Sequence, residues 1–180
     1  MLLAVLKLLF VGKVCKRKNV STIKKAMDIL DSKGIKTTLT VIGNIAEQEE
    51  YEKIKNDKRI SCLSAMPKEK LIEQYRSHDV FVMASFTETF GLVYAEALTQ
   101  GLPVIYTKGQ GFDGQFEEGT VGFAVDCTKP ESIANNIKLI LSDYEKMRRN
   151  CICLSKRFDW KSITLLYNEI YHNILPSKTI

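Results

Sequence analysis

The sequence lacks the usual signatures of metal and redox chemistry. It has no Asp-x-Asp and no histidine–carboxylate cluster, and only two histidines in all, so no bound metal is expected. The five cysteines, Cys15, Cys62, Cys127, Cys151 and Cys153, are odd in number and scattered. None belongs to a Cys-x-x-Cys, and Cys151 and Cys153 would point to different faces of a helix. That pattern excludes a zinc site and fits reduced thiols in a cytoplasmic protein. No Gly-x-Gly-x-x-Gly follows the first apolar run, so the dinucleotide fingerprint of dehydrogenases is missing there. No apolar run is long enough to span a membrane. The opening M-L-L-A-V-L-K-L-L-F lacks a charged leader and a small-residue cleavage site. It reads as a first core strand with a few leading residues.

What is present is a globular composition. The chain has 180 residues, 45% hydrophobic and 26% charged, a length that suggests one domain. Its net charge of +5 suits an anionic ligand or the acidic inner face of a membrane and decides between neither. Nothing in it points to nucleic acid.

Strand-like and helix-like segments alternate. Leu8–Gly12, Thr37–Gly43, Ile60–Leu63, Val80–Ala84, Val104–Tyr106 and Gly122–Val125 read as strands. Val20, Ile23, Met27 and Leu30 recur on one helical face, and Asn19 is placed to cap that helix. Further helices are predicted over Ile45–Lys58, Lys68–Ser77 with Pro67 at its first position, Leu92 to Gly101, Glu131–Leu141, Asp143–Arg157 and through Ile163 to Ile174. Leu71, Ile72 and Tyr75 are expected to face inward, and Trp160 to anchor the core. His78 has no partner in any motif and reads as a loop histidine. This alternation implies an α/β fold: a doubly wound, Rossmann-like parallel sheet of about six strands with helices on both faces.

The chain is organised around Ser85 to Gly101, S-F-T-E-T-F-G-L-V-Y-A-E-A-L-T-Q-G. A buried strand enters it, a polar loop follows, and a helix begins near Gly91. Such a helix start offers unpaired N–H groups and a positive dipole end, an anion site. Glu88 and Glu96 frame it. Acids beside an anion site are tolerable if they bind another part of the ligand, such as sugar and ribose hydroxyls. By spacing alone, a helix start with one acidic cap and one surface glutamate is the favoured reading. A second basic loop, K-V-C-K-R-K-N, follows the first strand and Gly12. It is either a solvated turn or an anion grip. Cations before a helix N-terminus are unfavourable by about 0.3–1 kcal/mol without an anion, and a strand-ending glycine permits close backbone approach. Both loops leave the carboxyl ends of their strands, where ligands bind such sheets.

Glu88-x7-Glu96, with Phe90-Gly91 between and Ala97-Leu98-x-x-Gly101-Leu102-Pro103-Val104 after, closely resembles the donor motif of retaining glycosyltransferases of family 4, which have the GT-B fold. The likeness runs from about Leu9 to about Tyr171. It implies that Glu88 contacts the transferred sugar. Backbone at Thr89, Phe90, Gly91 and Leu92 would hold the diphosphate, and Glu96 the ribose. Lys13 and Lys18 match the family's two diphosphate-gripping cations, the first of which is usually arginine. Gly12 would let the backbone approach the donor, and Met66 would lie at the corner facing the nucleobase. The glycine-rich loop after Tyr106 lacks the family's usual glutamate, with Gly114 at its place, and no residue there is assigned. The resemblance implies retaining, metal-independent hexosyl transfer from a nucleotide-diphosphate sugar, a UDP-sugar by expectation, in surface polysaccharide synthesis. No cofactor is implied.

Only the C-terminal, donor-binding half of a GT-B enzyme is matched, including its closing cross-over helix. The N-terminal acceptor domain would need roughly another 150–200 residues. The isolated chain is therefore expected to bind donor and transfer nothing. The alternative is a non-catalytic nucleotide-binding subunit or fragment that needs a partner domain.

Overall fold

The computed structural model describes residues 5–174. Residues 1–4, the leading residues before the expected first strand, lie outside them. Six strands form one all-parallel sheet: β1 (Leu6–Val11), β2 (Thr37–Ile42), β3 (Ile60–Leu63), β4 (Val80–Val82), β5 (Val104–Thr107) and β6 (Gly122–Val125). Their spatial order is β3-β2-β1-β4-β5-β6, so chain direction across the sheet reverses between β1 and β4. The strands are parallel and covered on both faces, which is why they read as continuous apolar runs. Leu8, Leu9 and Phe10 are fully buried, as are Val80 to Ala84 and Val104 to Ile105.

Among the described residues seven α-helices accompany the sheet: α1 (Val20–Ser32), α2 (Gln48–Glu52), α3 (Lys68–Ser77), α4 (Leu92–Thr99), α5 (Pro130–Ser142), α6 (Tyr144–Leu154) and α7 (Trp160–Ile174). α1 packs on α5 and over β2, and α5 lies over β5 and β6, while α3 meets β1 and α4 meets β5. Right-handed crossovers put these two groups on opposite faces. The α1 stripe is buried as its spacing requires, with Val20, Ile23, Met27 and Leu30 nearly inaccessible. All five cysteines are unpaired.

Four expectations are corrected. The helix over Ile45–Lys58 shrinks to α2, because pairing overrides propensity on its amino side. Val14 bridges Ile45, and its carbonyl accepts from the N–H groups of both Ala46 and Glu47. On its far side Asp57 turns the chain into β3 by accepting from the Arg59 backbone and guanidinium. Asn19 occupies the cap position of α1 but makes no side-chain cap bond, since its backbone is left-handed at φ 57°. Pro67 stands one residue before α3 instead of inside it. Trp160 anchors nothing. It is 76% exposed at the start of a helix that leaves the body of the domain. In α3 only Tyr75 is fully buried, with Leu71 and Ile72 half-covered.

His78 links α3 to the sheet. One ring nitrogen lies 2.6 Å from the Gln74 carbonyl and the other 2.7 Å from the Thr40 hydroxyl. Burial lowers its pKa below the ordinary value. A depressed histidine leaves the unfolded chain to take up the proton first. Stability should therefore be full above about pH 6.5 and fall as pH drops below it. Urea melts at about pH 7.5 and pH 5 should show that loss, and His78→Gln should flatten it.

Candidate functional site

The reversal between β1 and β4 places two loops side by side at the carboxyl edge of the sheet. From β1 the chain passes Gly12 and Lys13 into a short 3-10 turn, Lys16–Lys18, and then Asn19. From β4 it passes Met83 to Glu88 and reaches α4 at Gly91. The loops are tied at several points. The Phe86 N–H donates to the Arg17 carbonyl at 2.8 Å. The Arg17 guanidinium Nη1 donates to the Thr87 carbonyl at 2.7 Å. Lys18 Nζ pairs with Glu88 Oε2, and Arg17 Nη1 stands 3.9 Å from the same oxygen. Lys18 and Glu88 are only 12% and 11% exposed, so this pair is largely shielded from water.

Asn19 holds this arrangement, a role its local sequence does not reveal. It is 2% exposed, and its amide donates to the carbonyls of Ala84 and Cys127, at 3.0 and 2.7 Å. Its own oxygen accepts from the Thr22 hydroxyl. The amide thus staples the basic turn to the exits of β4 and β6. Asparagine is one of the few non-glycine types that tolerate a left-handed backbone.

The glycine-rich loop after β5 closes the third side. Gln110 Oε1 accepts from the Glu88 N–H at 2.8 Å, and the Gly111 N–H donates to the Glu88 carbonyl at 3.2 Å. A Cβ on Gly111 would sit 1.5 Å from the Thr89 carbonyl oxygen, so only glycine permits this approach. The spacing Gly109-x-Gly111-x-x-Gly114 opens no helix here and supports the Glu88 loop instead.

The start of α4 has the geometry its sequence suggests. Gly91 takes φ 79°, and a Cβ there would meet the Tyr94 ring at 2.7 Å. Tyr94 is buried beneath it, with its hydroxyl donating to the Met83 carbonyl at 2.6 Å. Leu92 is 69% exposed and Thr89 is exposed. Phe90 instead turns into an aromatic cluster, with ring centroids 5.9 Å from Phe112 and 5.6 Å from Phe158. Glu96 lies a turn further along, half-buried, and accepts from the Tyr75 hydroxyl at 3.0 Å. Burial and the Glu96 charge push the Tyr75 pKa upward, so the phenol stays a donor that orients the carboxylate. Leu92 and Glu96 border a largely apolar groove of about 720 Å³ between α3, α4 and the start of α7.

Of the residues singled out in the sequence, Lys18, Glu88 and Gly91 come together on these loops. Gly12 belongs to the same edge, and a Cβ added there would lie 3.7 Å from Lys18 Cε. Met66 sits in the loop after β3, partly packed on the core, and its neighbours define no base. Lys13 is exposed, and among the described residues its ammonium has no hydrogen-bond or ion-pair partner. Sequence reading gave Arg17 no role of its own, Asn19 only that of a cap and Tyr75 only that of a core residue, because their partners lie far along the chain.

Fold and site together define a Rossmann-like α/β domain with two loops converging at its topological switch point. The family profile described as "Glycosyl transferases group 1" matches residues 5–157, and the chain belongs to that family. Among curated relatives, it is 28% identical over 184 residues to a D-inositol 3-phosphate glycosyltransferase of Corynebacterium glutamicum, covering 95% of this chain and 44% of that protein. It is 29% identical over 170 residues to the sulfoquinovosyl transferase SQD2 of Arabidopsis thaliana, covering 89% and 32%. The chain thus spans less than half the length of these relatives. Among solved structures, sucrose-phosphate synthase from Thermosynechococcus elongatus matches with a TM-score of 0.80 at 24% identity, covering 94% of this chain and 45% of that one. Anabaena Alr3699/HepE, solved in complex with UDP-glucose, matches at 0.79 and 19%, covering 94% and 49%. These likenesses establish the shared fold.

Proposed function

We propose that this chain is the donor-binding domain of a retaining glycosyltransferase that uses a UDP-sugar without a metal ion. The observation that carries the reading is the shielded Lys18–Glu88 pair, set beside the start of α4 at the β1/β4 switch point. Lys18 would bind the diphosphate with the backbone at Thr89, Phe90, Gly91 and Leu92. Glu88 would face the sugar, and Glu96, steadied by Tyr75, the ribose. Gly12 and Met66 would border the nucleotide, and Lys13 would lie at the site's edge. As the bond to the anomeric carbon breaks, negative charge builds on the leaving phosphate. Lys18 and the α4 amides are preorganised to stabilise it, and losing one such donor typically costs about 10²–10³ in rate. Fixed cations would do the charge balancing that a metal does elsewhere.

The exposed side of α7 supports a missing acceptor domain. Trp160, Leu166, Ile170 and Ile174 are 76%, 55%, 41% and 67% exposed. An apolar face of this kind fits a partner domain better than water, and the relatives are about twice as long. Sugar transfer, with a role in surface polysaccharide synthesis, belongs to that whole protein, in the cytoplasm or against the inner membrane face. No helix among the described residues is long and apolar enough to cross a membrane.

The test is calorimetric titration of the chain with UDP and GDP, with and without EDTA. UDP should bind equally well in both conditions, with no sugar transferred from UDP-glucose. Binding lost in EDTA would overturn metal independence, and transfer by the chain alone would overturn the half-enzyme reading.

A further inference from the structure

We infer that Gln110 is a positioning residue for Glu88, its side-chain oxygen setting the residue whose carboxylate would face the donor sugar. The inference rests on the donor-site reading proposed above and adds a residue to it. The Glu88 N–H donates to Gln110 Oε1 at 2.8 Å, and the Glu88 carbonyl accepts from the Gly111 N–H at 3.2 Å. Both backbone groups that flank the Glu88 Cα are therefore held by one loop, and the direction of its Cβ is set with them. A backbone N–H can donate only to the amide oxygen, so the Gln110 amide has one orientation. That oxygen is also neutral. A carboxylate in its place would accept as well, but would add a second negative charge beside the proposed diphosphate site.

The loop that carries Gln110 is itself anchored. The buried Thr107 hydroxyl donates to the Ser85 carbonyl at 2.7 Å, a third tie to the same segment. The Gln110 N–H donates to the Thr107 carbonyl at 3.3 Å, and the Asp113 N–H to the Gln110 carbonyl at 2.8 Å. Asp113 Oδ2 accepts from the Gly109 N–H at 2.7 Å, which folds the loop on itself. The buried Phe112 sets it against α4 through the Tyr94 ring, at a centroid distance of 4.7 Å. Gln110 thus reaches Glu88 from a rigid base, as a supporting side chain must if it is to hold a binding group in place. Lys18 engages the other end of the same residue, its carboxylate. Gln110 acts through Glu88 and needs no ligand contact of its own.

The experiment measures UDP and UDP-glucose affinity in Gln110→Met, Gln110→Glu, Glu88→Ala and the Gln110→Met, Glu88→Ala double variant, against the unaltered chain. Methionine keeps the length and removes the acceptor, and melting curves check the fold. Gln110→Met should weaken UDP-glucose roughly 3- to 10-fold and UDP less than about twofold, as the loss of one hydrogen bond would. Gln110→Glu keeps an acceptor oxygen, so the ratio of UDP-glucose to UDP affinity should stay near that of the unaltered chain while the added charge weakens both ligands. Because the effect runs through Glu88, Gln110→Met should not lower that ratio further in the Glu88→Ala background. An unaltered ratio in Gln110→Met, or additive losses in the double variant, overturns the assignment. An unaltered ratio in Glu88→Ala overturns the donor-site reading itself, and the role of Gln110 with it.

Discussion

Lys18→Ala should lower the melting temperature by roughly 6–20 °C and remove measurable UDP binding. The first effect follows from the shielding of the ion pair, whose partners are 12% and 11% exposed. Removing one partner of a buried pair leaves the other charge uncompensated, at a cost of about 3–5 kcal/mol. In a domain of this size each kcal/mol moves the midpoint by about 2–4 °C. The second effect follows from function, because Lys18 is the buried cation at the proposed diphosphate site. A second substitution separates the two. Glu88→Gln in the Lys18→Ala background takes away the stranded charge, so most of the lost melting temperature should return while UDP binding does not. A double variant that regains binding along with stability would show that Lys18 serves the fold alone. A single variant that melts normally would show that the pair is hydrated and weak.

The parts of this molecule legible in its sequence are those written locally. The six strands could be read because a parallel sheet covered on both faces makes apolar runs such as Val80–Ala84. α1 and α5 could be read from their 3.6-residue stripes. The crevice could be read because two polar loops leave strand ends that a right-handed, doubly wound order brings together, which put Lys18, Glu88 and Gly91 in one place. What escaped depends on distant partners. Lys18 and Glu88 were expected to hold different parts of a ligand, and they hold each other across 70 positions of sequence. Asn19 looks like a helix cap by type and place, yet its amide is spent on Ala84 and Cys127. The polar segment after Ile45 has helical composition, but bonds to Val14 fix its backbone first. Trp160 reads as core because tryptophan usually is, whereas here it opens a helix whose apolar side is uncovered.

The two glutamates should separate when each is truncated and tested against UDP and UDP-glucose. If Glu96 holds the ribose, Glu96→Ala should weaken both ligands alike. A hydrogen bond to a charged group is worth about 1.5–3 kcal/mol, which is roughly 10- to 150-fold in affinity. Tyr75→Phe should give a smaller loss of the same kind, because the carboxylate remains and only its 3.0 Å restraint from the phenol goes. If Glu88 faces the sugar, Glu88→Ala should weaken UDP-glucose and spare UDP. The ion pair sharpens that expectation. Glu88 pairs with Lys18, so a diphosphate must compete with it for the ammonium. Removing the carboxylate takes away the competitor and a repelling charge, so UDP should bind a few-fold more tightly, on the order of 1 kcal/mol. The affinity ratio of UDP-glucose to UDP should therefore fall in Glu88→Ala and stay constant in Glu96→Ala. A purely structural role predicts a different result, with lower melting temperatures and four unaltered dissociation constants. Equal losses for both ligands in Glu88→Ala would refute its assignment to the sugar, because UDP has no sugar beyond the ribose for it to touch.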